Sequence, residues 1–414
     1  MTDFPHFDAL ETRDPELRER SALAALPGAL AHAKARAPAF ARLLEGVEPA
    51  AVNTREALAK LPVTRKSDLG AMQKAERPFG GLAAASWGAL AHVYASPGPI
   101  YEPDGRGADW WRLARALYAA GFRRGDLVHN TFSYHMTPAG FMLEAGAHAL
   151  GCTVFPGGTG QTEQQLQAMA DLQPNGYVGT PSFLRILLEK ADELGVKVPS
   201  LTKALVSGEA FLAPHREALK ARGIDGYQAY ATADLGCIAY ETPAREGLVV
   251  DEGVLVEIVR PGTGDPVPAG EVGEVVVTQL ANAEYPLIRF GTGDLSAVLP
   301  GVSPCGRTNL RIRGWMGRAD QTTKVKGMFV HPGQVAAILA RHAGIARARL
   351  VIENPDGNDR MTLHVAAREG AAVKAEAVVA AIRDVTKLRG DVKVVAAGDL
   401  PNDGKVIDDR RKFD

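Results

Sequence analysis

At 414 residues the chain exceeds what one ordinary hydrophobic core organises, so two domains are expected. Its 46% hydrophobic and 23% charged residues read as a soluble globular protein. The 47 basic residues against 48 acidic ones (net −1) leave no field to draw in nucleic acid or an anionic membrane, and neither partner is expected. The start, MTDFPHFDALETRD, is acidic and lacks an apolar stretch, and no apolar run approaches the roughly 20 residues that span a bilayer. With Cys152, Cys237 and Cys305 forming no C-x-x-C pair, a reduced cytoplasmic protein is expected.

Residues 1–70 read as Ala/Leu-rich helices. Apolar positions recur at helical spacing from Glu16 to Leu44, with breaks expected at Pro27 and Pro38, and LPVTRKSDL follows with Thr64 or Ser67 placed to cap the next helix. Residues 71–108, which include YASPGPIYEPDGRG, are Gly/Pro-rich and expected to be irregular, either a functional loop or a connector. From Asp109 the pattern becomes regular. Asp109 is expected to cap a helix carrying Trp110, Leu113, Ala114, Leu117 and Tyr118 on one stripe. A strand over 127–132 then leads to a helix opened by Thr137 with Pro138 at its first position. Strand 153–156, helix 162–172, strand 176–179, a helix from Thr180-Pro181, strand 204–207, a helix after Pro214 and strand 226–230 are expected next.

This alternation predicts an α/β fold with a mostly parallel sheet flanked by helices. Ligands of such sheets sit beyond the carboxyl ends of the strands, which singles out the loops at 133–136, 157–161, 207–211 and 231–236. From Leu248 to Leu299 the texture changes to β-hairpins (255–259 and 274–279), a smaller antiparallel portion.

The stretch from Arg289 to Gly327 is expected to hold an apolar approach strand over 285–290, the Gly-flanked acid Asp294, a strand over 310–313, and the charged cluster Arg318, Asp320, Lys324 and Lys326. A carboxylate on a tight turn, with Arg and Asp at a domain joint, suits a nucleotide site beside a hinge. After Gly327 a small α+β domain is expected: a helix from Pro332 to Ala343, strands 348–353 and 360–366 about the turn NPDGND, a helix over 373–388 and a strand over 392–396. The last stretch, LPNDGKVIDDRRKFD, reads as a loop or frayed tail. The expected domains are 1–319, large, and 320–414, a small lid.

No phosphate-loop motif of the G-x-x-x-x-G-K-[ST] type exists. Gly158-Thr-Gly160 meets Glu163 where a dinucleotide fingerprint needs its third glycine. The remaining candidates are spread along the chain. Glu209 and Asp234 lie past expected strand ends, where a metal–phosphate complex wants carboxylates. Tyr230 either stacks on a base or packs in the core. Tyr134, His135, Met136 and Phe141 surround the start of a small-residue helix, compatible with an apolar pocket for a flat acid. Lys405 is either a solvated tail lysine or a cation that a small domain delivers to a site.

Five blocks, HALGCTVFPGGTGQTEQQLQAMADLQPNGYVGTPSFL, GEAF, YATAD, IRFGTGDL and GRADQTTKVKGMFVHPGQV, followed by the terminal DGKVID, occur in an order and spacing that resemble the adenylate-forming acyl–coenzyme A ligases. The opening LPVTRKSDL and the first block are similar to the phenylacetate–coenzyme A ligase branch. The resemblance covers nearly the whole chain. It implies an ATP-dependent ligase that joins an aromatic or similar small carboxylate to coenzyme A through an acyl-adenylate, with ATP, Mg²⁺ and coenzyme A as cofactors, in a branch that is commonly dimeric. By the same resemblance Gly208, Glu209 and Tyr230 line the adenine, Asp294 holds the ribose hydroxyls and Arg318 the ribose–phosphate side. Asp320 is the hinge, Asp234 stands where the Mg²⁺-binding Glu belongs, and Lys326 and Gly327 border the coenzyme A tunnel. Lys405 bridges carboxylate and α-phosphate, a cation between two anions that must meet.

The chain departs from the family pattern in its phosphate loop. SPGPIYEP (96–103) has lost most hydroxyls, and Glu102 replaces the lysine. A carboxylate about 5 Å from a phosphate charge costs about 3 kcal/mol at an effective dielectric near 20, so Glu102 cannot take the lysine's part unaided. Some relatives bind structural zinc; here Cys305 is accompanied by Ser303, Thr242 and Val249, and no zinc is expected. The alternative that the altered loop raises is an impaired homologue that binds a nucleotide, acid or acyl–coenzyme A as a sensor.

Overall fold

Strands Thr153–Pro156, Leu127–Asn130, Gly176–Gly179, Lys203–Val206 and Asp225–Thr232 lie side by side in that order, all parallel, linked through helices Ala139–Leu150, Thr162–Leu172, Pro181–Leu194 and Ala213–Ala221. The computed structural model that contains them describes residues 5–319, 321, 323–330, 332–355, 357–368, 370–400 and 406–411. The inner strand Gly176–Gly179 is buried throughout, whereas the edge strand Thr153–Pro156 is partly exposed, as expected of a parallel sheet covered by helices.

At Asp225–Thr232 the sheet changes sense. A tight turn through Asp234 and Leu235 sends the chain back as antiparallel Gly236–Tyr240, and Leu248–Val250, Arg311–Ile312 and Val298–Leu299 extend the sheet to nine strands. Gly236 permits the turn: its φ is +70°, and a Cβ there would sit 2.5 Å from the Trp111 carbonyl oxygen.

A second sheet has the order Thr64–Arg65, Phe290–Ser296, Gly273–Gln279, Val254–Val259, with the first pair parallel and the rest antiparallel. The approach to it is not the strand expected over 285–290. Leu287 N donates to Tyr285 O, Arg289 takes φ +42°, and the strand starts only at Phe290. Arg289 is buried and spends its five N–H groups on Glu257 (3.0 and 3.1 Å) and on the carbonyls of Ala59, Leu61 and Gly264. It ties the N-terminal helices to this sheet.

Other expectations are corrected by tertiary structure. Pro27 does not break the first helix, which runs Pro15–Arg36. The Asp109 carboxylate does accept from Leu113 N and Ala114 N, but the helix it serves begins only at Ala114. The helix after strand Leu127–Asn130 starts at Ala139, with Pro138 rather than Thr137 at its cap and no side-chain cap bond. Residues 71–108 are not all irregular: Leu69–Ala75 is helical, and Leu90–Ser96 pairs with Ile100–Gly105 as an antiparallel hairpin in which Tyr94 lies opposite Glu102.

The chain divides into two compact units, Met1–Phe211 with Arg216–Met316, and Leu212–His215 with Gly317–Asp414. In the second, strands Asp391–Val394, Arg360–Ala367, Ile345–Glu353 and Ile407–Asp409 form one sheet, on which helices Pro332–Ala340 and Ala375–Thr386 pack. The tail is thus not wholly loop, since Ile407–Asp409 is an edge strand parallel to Ile345–Glu353. Arg411 fastens it through Asp409, Asp359, Thr323 Oγ1 and the Lys324 carbonyl. Among the described residues no helix is long and apolar enough to cross a membrane.

Candidate functional site

Asp294 projects from strand Phe290–Ser296 just past Gly293, whose φ is +74°. Its Oδ1 accepts from Trp315 Nε1 at 3.0 Å and its Oδ2 from the Tyr230 hydroxyl at 2.8 Å. Tyr230 comes from the last parallel strand, and its ring packs against the largest apolar cluster. The tyrosine therefore packs in the core and points its polar tip at the acid. Gly208, at φ +79°, and Glu209 lie in the loop after strand Lys203–Val206; Glu209 Oε2 accepts from Ser182 N at 3.4 Å, near the start of the neighbouring helix.

Asp234, on the turn between Asp225–Thr232 and Gly236–Tyr240, is fully buried. Its Oδ2 pairs with Lys66 Nζ, and its Oδ1 has no hydrogen-bond partner. Lys66, about a quarter exposed, comes from the short turn after Thr64–Arg65, a residue that sequence reasoning passed over inside LPVTRKSDL. Burial works against its charge, but Asp234, Glu102 and Asp294 outweigh that and hold its pKa above the usual value.

Glu102 is also fully buried. Its Oε2 accepts from Ser96 Oγ at 2.8 Å and Ser96 N at 3.3 Å, while its Oε1 has no partner. Burial first, and then the charge of Asp234, push the Glu102 carboxyl up to about 8. Tyr285 completes the group: it is fully buried, its hydroxyl is unpartnered, and burial followed by Asp234 and Glu102 raises its pKa well above normal. Buried carboxylate oxygens without partners are the donor type that hard divalent cations take, so these residues fit Mg²⁺.

The same hairpin that carries Glu102 borders an aromatic wall. The Phe141 ring lies 5.2 Å from Tyr134, 5.6 Å from Tyr94 and 4.8 Å from His92, centroid to centroid. Polar contacts hold the rings: the Tyr134 hydroxyl donates to Glu144 Oε2 and accepts from Asn130 Nδ2, both at 2.7 Å. The Tyr94 hydroxyl donates to Asp104 Oδ2 at 3.0 Å. Ala95 N donates to Met136 O at 2.8 Å and joins hairpin to wall. His135 does not join the wall; it is exposed and makes turn hydrogen bonds through its backbone.

In the second unit Arg318 is half-buried. Lys326 and Gly327, at φ +46° and +82°, form the two-residue turn of the hairpin Thr323–Val325 and Met328–Val330, and Lys326 N donates to Asp359 Oδ2 at 2.9 Å. Asp320 and Lys405 lie outside the described residues. Cys305 Sγ contacts Ser303 Oγ at 3.1 Å, Thr242 Oγ1 at 3.3 Å and Arg307 Nη1 at 3.5 Å.

Comparison with known proteins gives the family. Residues 121–284 match the AMP-binding enzyme family. The chain is 32% identical over 351 residues to a phenylacetate–coenzyme A ligase of Aromatoleum evansii, covering 81% of this chain and 78% of that one. It is 34% identical over 330 residues to a phenylacetate–coenzyme A ligase of Thermus thermophilus, covering 75% and 72%. A solved structure of 2-hydroxyisobutyryl-CoA ligase, in complex with 2-HIB-AMP and CoA, superposes with a TM-score of 0.82 at 26% identity, covering 100% of this chain and 94% of that one. The chain belongs to the phenylacetate–coenzyme A ligase branch of the adenylate-forming enzymes, and with it to the AMP-forming acid–thiol ligases that use ATP, Mg²⁺ and coenzyme A.

Proposed function

We propose that the acid activated here is an aromatic, phenylacetate-like carboxylate. The observation that carries this reading is the wall of Tyr134, Phe141 and Tyr94, whose flat faces and edges suit a ring, with Tyr94 opposite Glu102 on the hairpin. The phenylacetate–coenzyme A ligases among the relatives support it.

In this reading Asp294, oriented by Tyr230 and Trp315, accepts from the ribose hydroxyls; a carboxylate offers about four acceptor sites, enough for its protein donors and a ribose. Gly208 leaves room for the adenine beside Glu209 and Tyr230. Asp234 holds Mg²⁺, which when bound screens the phosphate charge that repels the incoming carboxylate. The large domain spans 1–319 and the small one 320–414. Arg318, at the end of the former, serves the ribose–phosphate; within the latter Asp320 is the hinge, Lys405 supplies the bridging charge, and the Lys326–Gly327 turn borders coenzyme A.

The test is acid-dependent ATP–pyrophosphate exchange across a panel of aromatic, aliphatic and 2-hydroxy acids. Phenylacetate or a close aromatic analogue is expected to give the highest kcat/KM, and Phe141→Ala to raise its KM at least about tenfold, since losing a buried aromatic contact costs about 1.5 kcal/mol or more. A branched 2-hydroxy acid as best substrate, or aromatic KM values unmoved in the variant, overturns the reading.

A further inference from the structure

Two carboxylates, Glu102 and Asp234, are fully buried within electrostatic reach of each other and of Lys66, which is committed to Asp234 Oδ2. Each acid keeps one oxygen with no hydrogen-bond partner, and so does the hydroxyl of Tyr285, which is fully buried and interacts electrostatically with both acids. Native interiors leave few such atoms unpaired, because each costs about 1–3 kcal/mol. Three such atoms, on three separate segments within electrostatic reach of one another, mark a place for something that is not protein. Two acids and a hydroxyl call for a cation there. Among the described residues no three His, Cys, Asp or Glu side chains gather to cage a metal. That matches Mg²⁺, which is ordinarily held by one or two carboxylates together with substrate phosphates and water.

We propose that Glu102 is the second protein ligand, beside Asp234, of the divalent cation that arrives with ATP, so that the acid standing in place of the phosphate loop's lysine reaches the phosphates through metal rather than opposing them. The repulsion that a bare Glu102 would impose on a phosphate becomes attraction once a double positive charge stands between them. The position of Glu102 supports this role. It is fixed in a strand, opposite Tyr94, and Ser96 occupies only its Oε2, leaving the buried Oε1 without a protein partner. The inference rests on the ligase reading only for the nucleotide, not for the acid.

The test uses the full chain and Mn²⁺ as the probe, alone and with a non-hydrolysable ATP analogue, followed by electron paramagnetic resonance of the free ion. Glu102→Gln keeps an acceptor for Ser96 and removes the charge. It is expected to weaken nucleotide-dependent Mn²⁺ binding at least tenfold, with Glu102→Asp intermediate, and to raise by a similar factor the Mg²⁺ concentration that half-saturates pyrophosphate exchange. Mn²⁺ affinity within twofold of the wild type overturns the proposal, as does a wild-type protein that binds no Mn²⁺ in either condition. Should the variant not fold, wild-type crystals soaked with Mn²⁺ and the analogue decide: an anomalous peak about 2.1 Å from Glu102 Oε1 supports the ligand, and one beyond about 4 Å excludes it. A Glu102-dependent metal site in a protein that exchanges pyrophosphate with no aromatic acid leaves this inference standing and removes the substrate reading; the converse result does the reverse.

Discussion

Asp294 owes its orientation to Trp315 and Tyr230, donors from separate segments that fix both oxygens. A hydrogen bond to a charged group contributes about 1.5–3 kcal/mol. Tyr230→Phe is therefore expected to raise the KM for ATP roughly tenfold, and steady-state kinetics at saturating acid measures it; an unchanged KM contradicts the role given to Asp294. Glu102 makes a separate prediction for the metal-free protein. Its carboxyl sits at about 8 when folded, facing Asp234, Lys66, Tyr285 and Ser96, and near the ordinary 4.5 when unfolded. Between those values the folded state holds the proton that the unfolded state has lost, so stability falls as pH rises from about 5 to 8. Glu102→Gln should flatten that part of the Tm–pH profile without Mg²⁺, and an identical slope in both proteins contradicts it. At this scale Asp294, Tyr230 and Asp234 were legible because acids and aromatics at strand exits are chemically conspicuous. Lys66 was not, because its partner lies far along the chain and LPVTRKSDL reads locally as a helix start.

Among the elements, the parallel βα series was readable from its periodicity, and strands Thr153–Pro156 and Gly176–Gly179 and helix Thr162–Leu172 fall where the pattern puts them. The hairpin Leu90–Ser96 with Ile100–Gly105 was hidden by Gly98, Pro99 and Pro103, which locally argue for loop, and by its irregular burial; its pairing partner and the wall at Phe141 make it a strand pair. The same holds for Pro27, carried inside a helix by the packing of Leu26 and Leu30, and for Ile407–Asp409, too short to show a period without the strand beside it. Arg289 closes the junction of three segments through a buried pair with Glu257. Removing one partner of such a pair strands the other charge, so Arg289→Met is expected to cost about 3–5 kcal/mol in chemical denaturation. A loss under about 1 kcal/mol would show that the clasp is not what joins the N-terminal helices to this sheet.

For the whole molecule, sequence order and spacing carried the family, because the motif blocks occur in sequence along nearly all of the chain. The acid did not follow from them, because a pocket is set by how backbone segments meet. The hairpin, the strand exit at Asn130 and the helix with Phe141 come together only in three dimensions. The central claim is that the protein activates an aromatic carboxylate as its adenylate before coenzyme A is used. Rapid-quench single turnover with radiolabelled phenylacetate, ATP and Mg²⁺ tests it most directly. Stoichiometric phenylacetyl-AMP is expected without coenzyme A, chased to thioester when the thiol is added; no acyl-AMP before the thiol is present, or ADP as the nucleotide product, contradicts it.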